Sequence, residues 1–114
     1  MKRFIVAAVT IAAGLLAAQC PAAAADAAKG KTLYMKNGCF QCHGTQGQGA
    51  VTGLRLAPDP MPVEAFVGFV RSTNRAMPPY REAILPDDDL ADIYAYLQSI
   101  PKPPDLKSIS ILNP

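Results

Sequence analysis

Two cysteines and the only histidine of the chain lie within five consecutive residues, and this cluster limits what the 114 residues can be. Cys39, Cys42 and His43 form the sequence CFQCH, a C-x-x-C-H pattern. A disulfide between Cys39 and Cys42 would close a loop too short to stabilise a whole domain appreciably. We therefore expect this cluster to bind something or to react, rather than to act as a cross-link.

The N-terminus carries the features of an export signal. Lys2 and Arg3 precede an uncharged apolar run over residues 4–18. Small residues then lead to Asp26, the first acidic residue. This order of a basic, an apolar and a small-residue region is typical of a secretory signal peptide. We expect cleavage near Ala25 and delivery to the periplasm.

The chain thus divides into a predicted signal peptide over 1–25, a functional domain over 26–101 and a proline-rich, then apolar tail over 102–114. A retained membrane anchor is an alternative, because the uncharged N-terminal stretch is just long enough to span a bilayer. Lipid attachment at Cys20 is a further alternative. Without its first two basic residues the chain has nine basic and nine acidic residues. This neutral balance gives no indication of nucleic-acid binding.

The functional domain is predicted to be all-α. Three segments combine helix-favouring residues with apolar residues at helical spacing: 26–38, 63–72 and the stretch from Pro86 to Pro101. Asp26 is placed to cap the first helix, and Asn37-Gly38 to end it. Pro86 presets the entry to the last helix, whose first turn is acidic, and Pro101 stops it. Loops rich in glycine or proline separate these helices, and no strand pattern or internal repeat is present.

Four kinds of site are compatible with a Cys-Cys-His cluster, and three of them fit poorly. A structural zinc site usually has four protein ligands, whereas the mature chain offers two thiols and one imidazole. A thioredoxin-like redox pair is expected after a strand, and here it follows a predicted helix. A Cys-His nucleophilic pair needs an orienting third group and a geometry that neighbours in sequence seldom provide.

The fourth kind of site is covalent haem attachment, for which C-x-x-C-H is the signature. Thiols three residues apart can each form a thioether with one vinyl group of the same haem. The histidine that follows presents a ring nitrogen to the iron. Predicted export agrees with this interpretation, because bacteria attach haem outside the cytoplasm. We predict one covalently bound haem c, held by Cys39 and Cys42, with His43 as an iron ligand.

Three longer stretches, YMKNGCFQCHGTQGQG, MPPY and LADIYAYLQSIP, together resemble the class I c-type cytochromes of the small, single-haem bacterial kind. The resemblance covers about residues 26–101. It implies a cytochrome c-like fold of three to five short helices wrapped around one covalently bound haem. The first and last helices of this family cross at a small glycine against an aromatic residue. Gly30 and Tyr34 match the first helix, and Tyr96 with Leu97 match the last.

Methionine is the candidate for the second axial ligand, and a histidine–methionine pair raises the potential of haem iron, which suits an electron carrier. Met35 lies in the first predicted helix and is expected to pack. Met61 and Met77 both lie in proline-rich loops, so side-chain chemistry alone does not separate them. The resemblance selects Met77, because the family's ligand precedes a proline in the loop before the last helix.

The resemblance also implies contacts around the haem. The family commonly has a Gly-Pro pair after the haem motif, and the proline carbonyl accepts the proton of the histidine ligand. Here the matching pair is Gly53-Leu54, so we expect the carbonyl of Leu54 to bind His43. Candidates for contacting the haem propionates are Arg55, Asn74 and Arg75. Solvated surface is the alternative for these three residues.

These features predict an electron carrier rather than an enzyme. It would pass single electrons between redox proteins, such as a dehydrogenase, a terminal oxidase or another cytochrome. Transient redox encounters are small and electrostatically steered. A basic group is placed to provide that steering: Arg71, Arg75 and Arg81.

Two alternative functions of the chain also assume a bound haem. The chain can be a dedicated cytochrome subunit of a periplasmic dehydrogenase, in which Ile109, Ile111 and Leu112 of the tail dock on a larger catalytic chain. Otherwise the tail folds back on its own domain or is disordered. The second alternative is an open iron site that binds a gas or a peroxide.

Overall fold

The computed structural model describes residues 24–112, which form four α-helices and two short 3-10 turns. The helices are α1 (Ala27–Lys36), α2 (Cys39–His43), α3 (Val63–Ser72) and α4 (Asp87–Ser99), and the turns are Leu106–Ser108 and Ser110–Leu112. The all-α prediction is confirmed for this part of the chain. The predicted signal peptide falls almost entirely outside the described residues, as do the last two residues of the tail.

Local signals account for the limits of α1. The Asp26 carboxylate accepts hydrogen bonds from the backbone N–H groups of Ala28 at 2.8 Å and Lys29 at 3.1 Å. Asn37 ends the helix, and Gly38 adopts a left-handed conformation with φ of 77°. This turn redirects the chain into α2, a separate helix that the sequence did not predict.

The helices α1 and α4 cross at Gly30. A Cβ atom on Gly30 would lie 1.8 Å from the carbonyl oxygen of Asp92, so only glycine allows this approach. One turn further along both helices, the rings of Tyr34 and Tyr96 meet edge to face with centroids 5.5 Å apart. The crossing expected from the resemblance is present, although Gly30 faces the backbone of Asp92 rather than an aromatic ring.

The hydrophobic core lies between α1, α3 and α4. Its largest fully buried side chains are Tyr34, Leu90, Ile93 and Leu97. The spacing of α3 predicts one apolar face of Val63, Phe66, Val67 and Val70. Phe66 and Val70 are buried and Val67 packs against the core, whereas Val63 is 38% exposed. Half-buried side chains from two other regions pack on this core, among them Cys39, Phe40, Met77 and Tyr80. The CFQCH helix and the loop that carries Met77 therefore rest on the same core.

A buried carboxylate joins the start of α1 to α4. Asp92 is 7% exposed, and its Oδ1 accepts a 2.7 Å hydrogen bond from the backbone N–H of Asp26. Its Oδ2 lies 2.7 Å from Nζ of Lys29. The hydrogen bond from Lys29, aided by that from Asp26, lowers the pKa of Asp92. Sequence reasoning missed this contact, because nothing distinguishes Asp92 from the exposed aspartates that precede it.

The tail begins at Lys102, whose ammonium pairs with Asp59 at 3.0 Å. Its two 3-10 turns pack on each other. Ile111 and Leu112 are exposed by 85% and 57%, whereas Ile109 is half-buried. No helix within residues 24–112 is long and apolar enough to cross a membrane.

Candidate functional site

The short helix α2 brings the three residues of the C-x-x-C-H cluster together. Cys39 and Cys42 are separated by one turn, so their side chains project from neighbouring positions on the same face. Both are free thiols; Cys39 is half-buried and Cys42 is exposed. Burial raises the pKa of the Cys39 thiol to about 11. A redox pair or a nucleophile acts as a thiolate, so this shift speaks against both of those interpretations.

The backbone of Leu54 orients the imidazole of His43. Nδ1 of His43 lies 2.7 Å from the carbonyl oxygen of Leu54. A carbonyl only accepts hydrogen bonds, so Nδ1 is the nitrogen that carries the proton, and in the neutral imidazole Nε2 has the lone pair. The predicted hydrogen bond is thus present, and it leaves the nitrogen that a metal ion needs. The Leu54 side chain is 82% exposed and takes no part in this contact.

Glycine at position 53 is what lets Leu54 reach the imidazole. A Cβ atom on Gly53 would lie 2.1 Å from the carbonyl oxygen of Cys42 and 3.0 Å from Nδ1 of His43. The loop therefore closes directly on the last turn of α2. Any larger residue would push the Leu54 carbonyl away from its partner.

Two core tyrosines hold the beginning of the same loop. The hydroxyl of Tyr34 donates to the carbonyl of Gly44 at 2.8 Å, and that of Tyr96 donates to Thr45 at 2.7 Å. Burial raises the pKa of both phenols, so both remain protonated donors at neutral pH. The resemblance predicted these tyrosines at the crossing of the first and last helices, but no sequence signal indicated the partners of their hydroxyl groups.

The structure brings the Met77 loop to α2 through Tyr80. The Tyr80 hydroxyl donates to the carbonyl of Asn37 at 2.7 Å, just before the CFQCH sequence. Burial raises the pKa of Tyr80, and the nearby thiols of Cys39 and Cys42 raise it further. Met77 itself is half-buried against the core. The loop that carries the predicted methionine ligand therefore lies beside the two cysteines.

Met61, the other candidate methionine, is held in a different place. Its carbonyl accepts a 2.9 Å hydrogen bond from the hydroxyl of Tyr94 on α4. Its side chain is 43% exposed. Tyr94 also contacts the ring of Phe66, with centroids 5.3 Å apart. Met61 is thus linked to the face where α3 meets α4.

The arginines divide into two kinds. Arg55 and Arg75 are exposed, as is Asn74, and neither guanidinium has an ion pair or hydrogen bond with any residue of the range 24–112. Arg71 instead donates to the carbonyl of Tyr80 at 2.8 Å and pairs with Asp87. Of the three arginines predicted to steer docking, Arg71 is thus the one whose charge is paired, with Asp87.

These groups fit a covalently attached haem. Two thiols lie on one helical turn, the adjacent imidazole has a free Nε2, and a loop with a thioether is held beside the same turn. Among residues 24–112, no group of three or more His, Cys, Asp or Glu side chains is arranged to bind a metal ion.

Two comparisons with known proteins give a match. The family model described as cytochrome c oxidase, cbb3-type, subunit III matches residues 25–97. Among curated proteins, the cytochrome c subunit of 4-cresol dehydrogenase [hydroxylating] from Pseudomonas putida is 36% identical over 106 residues. That match covers 90% of this chain and 88% of the relative. No solved structure is significantly similar to the chain.

Proposed function

Because the chain belongs to this family of c-type cytochromes, we propose that it is an exported cytochrome with a single haem that carries one electron at a time between redox proteins. Electron transfer follows from the family. The single haem, the export and the identity of the ligands are the parts that we add. They rest on the single C-x-x-C-H cluster, the N-terminal signal pattern and the contacts around α2.

The proposed haem-binding residues have two roles, attachment of the haem and adjustment of its reduction potential. Cys39 and Cys42 would hold the haem through thioether bonds, and His43 and Met77 would bind its iron. When bound, the haem supplies a one-electron Fe(II)/Fe(III) couple, whose potential a histidine–methionine pair raises. The Leu54 carbonyl keeps the proton on Nδ1 of His43 and fixes the plane of the ring. Arg55 and Arg75 remain candidates for contacting the propionates.

One observation carries the proposal: the hydrogen bond between Nδ1 of His43 and the Leu54 carbonyl, on a helix with two free thiols. This hydrogen bond uses Nδ1 to orient the ring and leaves Nε2 available to bind a metal ion. Ligating histidines in metalloproteins almost always have such a partner.

The test is a reduced-minus-oxidised optical spectrum of the purified protein, together with its intact mass. We expect the spectrum of a covalently bound haem c and a mass increase of one haem on the mature chain. Replacing both Cys39 and Cys42 by alanine should abolish that mass increase. A protein that stays at the mass of the polypeptide after expression with haem-attachment machinery would contradict the proposal.

A second role is favoured by the extent of the similarity. The relative is named as a cytochrome c subunit of a dehydrogenase, and the match extends over nearly the full length of both chains. Exposed Ile111 and Leu112 on the tail also provide apolar surface for a partner. In this role the chain is a dedicated subunit that receives electrons from a larger catalytic chain.

Size-exclusion chromatography of the protein from its native source separates the two roles. A dedicated subunit should elute with a larger chain and lose it when the residues after Pro104 are removed. A free carrier should elute at the size of one domain. A periplasmic fraction prepared in the same experiment checks the proposed location.

A further inference from the structure

We propose that Tyr80 is a positioning residue that holds the Met77 loop at a fixed place relative to α2. The proposal rests on Met77 being the second axial ligand, as argued above. It concerns how the chain keeps this ligand in place, which neither the ligand set nor the family similarity specifies. Tyr80 is bound at three points, two on α3 and one at the residue before Gly38 and α2.

The first two points join Tyr80 to α3. Its backbone N–H donates to the carbonyl of Val70 at 2.9 Å. Its own carbonyl accepts a 2.8 Å hydrogen bond from Nη1 of Arg71. Since both backbone groups of Tyr80 are used, the loop cannot rotate about this residue without breaking a bond to α3.

The third point joins Tyr80 to the cluster on α2. The hydroxyl of Tyr80 donates to the carbonyl of Asn37 at 2.7 Å, two residues before Cys39. A backbone carbonyl only accepts hydrogen bonds, so the hydroxyl is the donor in this contact. The far end of the side chain is therefore fixed at the start of the C-x-x-C-H helix.

Arg71, which binds the Tyr80 carbonyl, is itself held in place by an ion pair. Arg71 pairs with Asp87 at the start of α4, and its side chain is 20% exposed. Charge-assisted hydrogen bonds are stronger than neutral ones, and partial burial limits competition from water. We call the four residues Asn37, Tyr80, Arg71 and Asp87 the Tyr80 bridge. It links the end of α1, the methionine loop, α3 and α4.

Two prolines limit the flexibility of the segment that joins Tyr80 to Met77. Pro78 and Pro79 are the only residues between them, and each ring restricts its own φ angle. The segment Met77–Tyr80 therefore has few accessible conformations once Tyr80 is held in place. A thioether sulfur is neutral and a weak acceptor, so the chain must place it. The Tyr80 bridge provides that placement.

The measurement is the affinity of the ferric holo-protein for imidazole, an external ligand that binds iron only when the methionine moves away. Tyr80→Phe keeps the ring and removes the hydroxyl bond. We expect it to raise the imidazole affinity by about fivefold to tenfold, as the loss of one hydrogen bond predicts. Asp87→Asn removes an exposed charge and should raise the affinity by a smaller factor. It tests the bridge if Tyr80→Phe does not fold.

Tyr94→Phe is the matched control. It also removes a tyrosine hydroxyl that donates to a backbone carbonyl, but the carbonyl belongs to Met61. Imidazole affinity should stay at the wild-type value in this variant, even where the free energy of unfolding falls as much as in Tyr80→Phe. A purely structural role for Tyr80 would make the two variants behave alike, and that result would overturn the proposal.

Failure of the ligand assignment is distinguishable from failure of the positioning role. Met77 is not the ligand if the wild type lacks a thioether-to-iron absorption band, or if the Met77→Ala variant still shows that band. In either case both proposals fail. If Met77→Ala loses the band while Tyr80→Phe and Asp87→Asn keep wild-type imidazole affinity, only the positioning role falls.

Discussion

The carbonyl oxygen of Leu54 accepts a 2.7 Å hydrogen bond from Nδ1 of His43, and it reaches that position only because the preceding residue is glycine. The bond uses the backbone alone, so a leucine serves where related cytochromes commonly have proline. What the loop cannot vary is Gly53, whose missing Cβ makes room for the Cys42 carbonyl.

Gly53→Ala should destabilise the holo-protein. The added Cβ would meet the Cys42 carbonyl at 2.1 Å, so the loop must shift away from α2. Overpacking of this kind costs about 1–3 kcal/mol of unfolding free energy, measurable by guanidinium titration. Gly68→Ala is the control, since nothing lies within 4 Å of its added Cβ on α3. It should gain about 0.5–1 kcal/mol from the better helix propensity of alanine. Equal stabilities for the two variants would contradict this account.

The two candidate methionines can be separated by substitution. Met77→Ala should abolish the thioether-to-iron band of the oxidised protein and lower its reduction potential, because the loss of a methionine ligand removes its potential-raising effect. Met61→Ala should leave both properties unchanged, since Met61 lies beside Tyr94 rather than Tyr80. A band that disappears in Met61→Ala and persists in Met77→Ala would reverse the assignment.

The buried carboxylate of Asp92 should make stability depend on pH. Its pKa is lowered from the ordinary 3.8, first by the hydrogen bond from Lys29. Its contribution is therefore present above that value and is lost as pH falls through the lower folded-state pKa. Asp92→Asn should be less stable than wild type at pH 7, and the difference should shrink in acid.

Asp88→Asn is the comparison for Asp92→Asn, because Asp88 is an exposed carboxylate in the first turn of the same helix. Its stability difference from wild type at pH 7 should be the smaller one. Thermal unfolding from pH 2 to pH 7 provides the measurement. A constant gap between wild type and Asp92→Asn across that range would show that its charge plays no role.

Charge steering should depend on the exposed arginines and not on Arg71. Reduction of the cytochrome by its partner should change with ionic strength, because exposed charges are screened over about 10 Å at 0.1 M salt. Arg75→Gln and Arg81→Gln should weaken that dependence. Arg71→Gln should act mainly on stability, since its charge is already paired with Asp87. Reduction rates that ignore ionic strength in the wild type would exclude steering.

Export processing should add a positive charge to the donor of an existing hydrogen bond at the start of α1. If the signal peptide is cleaved after Ala25, the N–H of Asp26 becomes a charged amino group 2.7 Å from the Asp92 carboxylate. A chain that begins at Asp26 should therefore be more stable than one that retains Ala25. Intact mass identifies the first residue, and guanidinium unfolding compares the two forms. Equal stability would mean that the new charge gains nothing from Asp92.

Local features were predictable because their causes lie within a few residues. The Asp26 cap, the Asn37-Gly38 stop and the span of α3 over residues 63–72 follow from capping and helical spacing. The C-x-x-C-H cluster is equally local, and its spacing, the lack of further ligands and the predicted export together indicated the kind of site.

The tertiary structure decided the contacts whose partners are distant in sequence. Tyr80 and Asn37 are 43 residues apart, and Asp26 and Asp92 are 66 apart. No local pattern marks such pairs, because a hydrogen bond between them exists only after the core has brought their helices together. The same reason applies to the Arg71–Asp87 pair, because only the approach of α4 supplies the partner of Arg71.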